Sequence, residues 1–119
     1  MPSVVVLVVR DTHALRAAYM PFIQYGGVFI RHQHQWRLGE MVRLLLYLPE
    51  SEPGKGMYCL QTKVVWQTPK GAQHQRKAGV GLQFPEDHQA NEVRLHIERL
   101  LDQQSSPLPV GYTFALVQL

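Results

Sequence analysis

Residues 57–84 read MYCLQTKVVWQTPKGAQHQRKAGVGLQF, and how this stretch is parsed decides the fold. Its first twelve residues alternate: Tyr58, Leu60, Thr62, Val64 and Trp66 line one side, while Cys59, Gln61, Lys63 and Val65 line the other, the period of two of a β-strand. Residues 69–78 (PKGAQHQRKA) form a polar ten-residue hairpin loop. A second strand follows over residues 79–84, with Val80, Leu82 and Phe84 inward and Gly79 and Gly81 opposite. Pro85 then marks a change of period. From Glu86 to about Gln104, Ala90, Val93, Ile97, Leu100 and Leu101 recur as a narrow stripe on one helical face, with Asp87 as N-cap. The stretch therefore predicts a β-hairpin followed by a helix that covers an open side or end of the sheet.

Toward the N-terminus the pattern stays short and β-branched. Residues 3–10 (SVVVLVVR) read as a strand, and residues 11–19 as a short helix capped by Asp11 or Thr12 and ended by Pro21. Gly26 and Gly27 make a turn or bulge that opens a second strand at Val28, Phe29 and Ile30. After a polar stretch and a turn at Leu38, Gly39 and Glu40, residues 41–48 form a third strand, with Val42, Leu44, Leu46 and Leu48 inward and Arg43 and Tyr47 outward. Residues 49–56 (PESEPGKG) are a loop by composition. The fold class is mainly β: a small barrel of five to six antiparallel strands, with a short N-terminal helical turn and a C-terminal α-helix. Closure into a barrel would leave little exposed edge. Residues 1–104 form a single domain. Residues 105–119 are a tail whose last eight residues, YTFALVQL, are apolar enough to dock as an extra strand or to serve a partner.

Bulk properties narrow the functional classes. A chain of 119 residues, 45% hydrophobic and 18% charged, fits one globular domain. The longest apolar run, residues 4–9, is far short of a bilayer span, and nothing basic precedes it as in a secretory signal. A single cysteine, Cys59, excludes an internal disulfide framework and suits a reducing compartment, so a cytoplasmic location is expected, without membrane insertion. A net charge of +3, with only Arg76 and Lys77 adjacent, is too dispersed for a nucleic-acid-tracking surface. Carboxylates fall in loops or on a polar helix face, no serine sits in a nucleophile elbow, and Cys59 in mid-strand reads as a buried, inert thiol. His32 and His34 project to one side of an extended chain, but no further ligand is spaced to complete a zinc set unless His74 approaches. The expectation is a non-enzymatic protein without metal or cofactor.

The remaining signal is residues 19–31, YMPFIQYGGVFIR, where four aromatic rings crowd a segment whose first eleven residues carry no charge. A Gly pair opening onto a strand can bring backbone N–H groups close to a phosphate. Such a cradle also needs cations nearby, and Arg31 lies beyond the strand. Glycines that simply permit the bulge explain the pair without a ligand.

Taken together, YMPF, GGVFI, LGEMVRLLLYLPE and KVVWQTPKGAQHQRKAGVGLQF resemble the PilZ domain family, and within it the stand-alone members of type IV pilus biogenesis. The most specific part is the WxTPxGAQ pattern at residues 66–73, followed by the GxGxQF strand. The resemblance implies a receptor fold for cyclic di-GMP, bound in the family by an Arg-x-x-x-Arg arm and an Asp/Asn-x-Ser-x-x-Gly motif. Here the arm is nearly absent and no two arginines are four apart. Aligned on Gly27, the second motif becomes Phe22-Ile23-Gln24-Tyr25-Gly26-Gly27: the acid or amide is Phe22, the serine is Gln24, and the glycine remains. The resemblance accordingly implies an adaptor in pilus assembly and twitching motility that does not bind cyclic di-GMP itself. Its implied partners are the extension motor ATPase (PilB) and a degenerate EAL-domain protein (FimX) that senses the messenger. Tyr19, Met20, Phe22, Phe29 and Trp66 are the expected partner-binding residues. A cyclic di-GMP receptor using a non-standard site, with Arg10, Arg16 or Arg31, is the alternative. The apolar ending at residues 112–119 departs from the polar tail expected of the family.

Overall fold

The computed structural model describes residues 3–31, 36–49, 56–68 and 79–105. The elements run β1 (Ser3–Val8), α1 (Thr12–Ala18), β2 (Gly27–Arg31), β3 (Met41–Tyr47), β4 (Met57–Gln67), β5 (Gly79–Gln83) and α2 (His88–Ser105). Both helices start where a carboxylate satisfies an otherwise unpaired backbone donor. Ala14 N–H donates to Asp11 Oδ1 at 2.8 Å, and Ala90 N–H donates to Asp87 Oδ1 at 2.8 Å.

The strands form one sheet of order β1-β3-β4-β5-β2, curled into a half-barrel. Two features differ from the sequence-based expectation. β1 pairs parallel with β3, not antiparallel, because α1 and β2 intervene and carry the chain back before β3 begins. The sheet is also open: β1 and β2 lie at opposite ends of the strand order and do not pair. At β2 the edge is covered by the chain that follows α1, where Tyr19 forms an isolated bridge to Val28 and Met20 N–H donates to Gly27 O at 2.8 Å.

Alternation decides which face is buried. Val42, Leu44 and Leu46 of β3 with Leu48 just after it, Leu60 and Val64 of β4, Val80, Leu82 and Phe84 around β5, and Val28 and Ile30 of β2 all belong to one core. Each fully buried side chain of this size contributes about 1.5–3 kcal/mol. Among the described residues Thr62 is the one buried polar side chain, and its hydroxyl is satisfied by donating to Val42 O at 2.7 Å. Trp36 joins the core just before the turn at Leu38 and Gly39, a contribution that the polar look of residues 31–40 conceals. α2 seals the inner face with Ala90, Val93 and Ile97 buried and Leu100 and Leu101 packed against them.

A polar contact fastens α2 to β4. Tyr58 Oη lies 2.8 Å from His96 Nδ1, with the rings edge-on at a centroid separation of 5.9 Å. Burial, with Arg99 nearby, pushes the His96 pKa below its ordinary value, whereas burial and Glu92 raise that of Tyr58. Those directions keep Tyr58 protonated and His96 neutral, so the pair shares a hydrogen bond between uncharged groups. A histidine whose folded pKa is depressed contributes stability above its unfolded pKa, and that contribution disappears as pH falls through the folded value. Thermal midpoints should therefore drop as the buffer is taken below about pH 6.5. A His96→Gln variant, whose amide can donate or accept in the same bond without titrating, should lose that part of the acid limb; an unchanged limb would show that His96 is not its origin.

Candidate functional site

The turn that leads into β2 is built from backbone hydrogen bonds. Ile23 N–H donates to Met20 O at 3.4 Å and Gly26 N–H to Ile23 O at 2.7 Å, while Gly26 O accepts from Phe84 N–H at 2.9 Å. Tyr25 and Gly26 both take positive φ, 69° and 82°, which reverses the chain in one step. Gly27 is needed for a different reason: a β-carbon there would lie 2.5 Å from Leu82 O of the neighbouring strand. The Gly pair thus serves a tight turn and a close strand approach. The Gly26 N–H is spent inside the turn instead of being presented to a phosphate.

The motif positions follow from this geometry. Phe22 stands out from the turn with 79% of its surface exposed. Gln24 is exposed, and its carbonyl accepts from Gln83 Nε2 at 3.0 Å. Tyr19 and Met20 are both buried at 8% relative exposure, so most of their surface serves packing. Tyr19 donates its hydroxyl to Glu98 Oε2 at 2.9 Å, and burial together with Glu98 pushes its pKa well above the usual phenol range.

The outer face of β2, β5 and β4 collects the other aromatic candidates. The pairing of β4 with β5 runs Val64↔Leu82 and then Trp66↔Gly81, so Val65 is an extra residue in β4. This β-bulge resets the alternation. Strict period two would keep Trp66 beside Val64 in the core; the bulge turns it to the outside, where it is 40% exposed. There Trp66 meets Phe29 edge-on, with centroids 5.6 Å apart and planes at 63°. The two glycines of β5 form the floor. The Phe29 ring lies over Gly79, and a β-carbon at Gly81 would be 3.1 Å from Met20 Sδ and 3.2 Å from Trp66 Cβ. Phe29, Trp66 and the end of Met20 thus form one apolar platform, with Phe22 on the turn that leads into β2.

The proposed cations do not gather at this turn. Arg16 donates to Leu101 O at 3.2 Å across the helix pair, Arg31 is at the far end of β2, and Arg10 follows the end of β1. The arginine nearest the Gly pair is one that the sequence does not single out. The Arg94 side chain packs on Gly26, where a β-carbon would be 3.3 Å from its Cδ. Its only signal is its place in α2 directly after the buried Val93. Arg94 lines a groove of about 360 Å³ with Tyr25, Pro85, Glu86, Asp87 and Asn91. One Arg94 nitrogen donates to Asn91 Oδ1 at 2.8 Å, and the Tyr25 hydroxyl bonds to Glu86, which raises the tyrosine pKa. The lining thus carries two carboxylates, Glu86 and Asp87, against one guanidinium.

Cys59 is exposed on the outer face, where Leu45 is its register partner, and not buried as its mid-strand position suggests. His32, His34, His74, Arg76 and Lys77 lie outside the described residues. Among the described residues, no group of three or more His, Cys, Asp or Glu side chains could hold a metal ion, and no helix is long and apolar enough to cross a membrane.

A curled five-stranded sheet, filled on one side by a helix and bearing an aromatic platform on the other, defines a small, mainly β domain. The chain belongs to the PilZ family: the model of the PilZ domain matches residues 1–103. A search of curated proteins returns no match. A PilZ domain implies a receptor or adaptor role in cyclic di-GMP signalling, and such domains are generally binding modules without catalysis.

The turn and its exposed ring should respond differently to substitution. Gly27→Ala should lower stability by about 1–3 kcal/mol, since the new methyl meets backbone. Phe22→Ala should change stability by no more than about 0.5 kcal/mol. Urea midpoints of the two variants check this, and a comparable loss at Phe22 would mean that its ring is part of the core.

Proposed function

We propose that this chain is a non-enzymatic adaptor for type IV pilus assembly and twitching motility, which binds protein partners through its aromatic surface and does not bind cyclic di-GMP directly. The observation that carries this reading is the state of the ligand-motif turn. An exposed phenyl ring replaces its acid or amide, its Gly26 N–H is spent internally, and among the described residues no pair of arginines converges on it. A dinucleotide with two phosphates needs charge-assisted, preferably bidentate, contacts to offset its desolvation. The platform of Phe29 and Trp66 offers instead what a protein partner uses: rigid aromatic surface, part-exposed before binding. The implied partners are the extension motor ATPase and a degenerate EAL-domain protein, which would link the motor to the messenger indirectly. A cytoplasmic location follows from those partners.

The alternative, a receptor with a non-standard site, draws on one specific feature, the packing of Arg94 on Gly26 beside the groove. Glu86 and Asp87 on the same groove weigh against it.

Two measurements separate the readings. Calorimetric titration with cyclic di-GMP should give no saturable heat, and micromolar binding abolished by Arg94→Ala would establish the alternative. Capture of the purified motor ATPase should weaken by about tenfold or more for Trp66→Ala or Phe29→Ala, the loss of an interface anchor. Undiminished capture by folded variants would remove the platform from the interface.

A further inference from the structure

The sheet carries charge of one sign only. The five strands hold three charged side chains, Arg31 on β2, Arg43 on β3 and Lys63 on β4, and all three are basic and exposed. Alternation places them on the outer face. Arg43 lies between the buried Val42 and Leu44, Lys63 between the buried Thr62 and Val64, and Arg31 follows the outward Phe29 by two residues. The described carboxylates lie elsewhere. Glu86, Asp87, Glu92, Glu98 and Asp102 precede or belong to α2, which seals the inner face. Asp11 caps α1, and Glu40 accepts from Arg37 N–H at 3.0 Å within the turn before β3. Among the described residues, none of the three outer cations forms an ion pair.

Two of these cations bracket the aromatic platform. β5 pairs with both neighbours, so its register gives their order. Gly81 is the partner of Phe29 and of Trp66, Gln83 is the partner of Lys63, and Gly79 is the partner of Arg31. Lys63 therefore stands one outer-face row to one side of the rings and Arg31 one row to the other. Each row is two residues, or about 7 Å, along the strand. Arg43, whose register partner is Gln61, lies one row beyond Lys63. The apolar ending, residues 112–119, lies outside the described residues and is no part of this surface assignment.

We propose that the platform selects an acidic, apolar-centred segment of a protein partner: an aromatic or aliphatic side chain seats on Phe29 and Trp66, and Asp or Glu residues to either side face Lys63 and Arg31. This inference rests on the reading of the platform as a protein-docking surface and adds the chemistry of what docks there. The rings supply the desolvated contact area, and the cations at the rim set register and speed encounter. A basic segment with the same apolar centre meets like charge on both sides and no described carboxylate on that face, so it is selected against. Three cations spread over three strands are too sparse to track a phosphate backbone, which leaves a protein as the occupant.

NMR titration of the full chain with two synthetic peptides tests it. Both share a Leu-Phe centre; one is flanked by two glutamates on each side, the other by two lysines. At low salt the acidic peptide should shift the Trp66 indole N–H and the Phe29 amide and bind about tenfold or more tightly than the basic one, a gap that narrows as salt is raised. The double variant Arg31→Glu, Lys63→Glu should reverse the preference, the milder Arg31→Gln, Lys63→Gln should abolish it, and Glu92→Lys on α2 should leave it unchanged. Core methyl signals in the same spectra report that each variant is folded, and the glutamine pair decides the matter where the glutamate pair does not fold. Equal binding of the two peptides, tighter binding of the basic one, or no shift at Trp66 with either would overturn the proposal. So would shifts confined to Arg31 and Lys63, which would reduce the effect to loose anion attraction. Failure of the adaptor reading is a separate result: a chain that ignores the motor ATPase yet selects the acidic peptide at Trp66 upholds this proposal and loses that partner.

Discussion

The extra residue at Val65 determines which side chains the outer face of the sheet presents. Up to Val64, β4 sends every second side chain into the core, and without the bulge Trp66 would follow. One inserted residue reverses that and sets an indole on the outer face against Gly81 and Phe29. The glycines of β5 have no side chains to occupy that face, so the rings settle on backbone. Bulge and glycines together convert a strand pair that would be polar outside into an apolar platform, without weakening the inner packing of Val64 against Leu82.

The electrostatics point the same way. Turn 20–27 is hydrogen-bonded and, among the described residues, short of positive charge, and the arginine that packs on Gly26 shares its groove with Glu86 and Asp87. A site for an anionic messenger concentrates cations where water is excluded, and the adaptor reading rests on the contrast with the carbon-rich surface at this turn. On that reading, Phe22 in the place of an acid or amide adds contact surface where the family motif supplies a ligand contact. What the turn retains from the family pattern is Gly27, kept by the closeness of the Leu82 carbonyl whether or not a ligand binds.

Much of this was legible in the sequence. Strict alternation in residues 41–48 and in β5, the stripe Ala90, Val93 and Ile97, and the capping aspartates at positions 11 and 87 placed the strands, the helices and most of the core. The parallel pairing of β1 was not legible, because alternation specifies which face a residue occupies but not the direction of the neighbouring strand. Cys59 was misplaced for a related reason: a mid-strand position is buried only on the inner face. Trp66 was ambiguous because a bulge leaves no mark in hydrophobicity. Among the expected partner-binding residues, Phe22, Phe29 and Trp66 have substantial exposed surface or ring contacts on the outer face, whereas Tyr19 and Met20 chiefly seal the edge of β2. Arg94 escaped notice because its proximity to Gly26 spans most of the chain.

The central claim is that the outer face of β2, β5 and the end of β4 recognises a protein through dry aromatic contact. Its most direct test is a hydrogen-exchange footprint of this chain on the purified extension motor ATPase. The account predicts that exchange slows in residues 20–31, 63–67 and 79–83. A footprint confined to the groove of Tyr25, Glu86 and Arg94, or one that leaves all three segments unchanged on a bound complex, would contradict it.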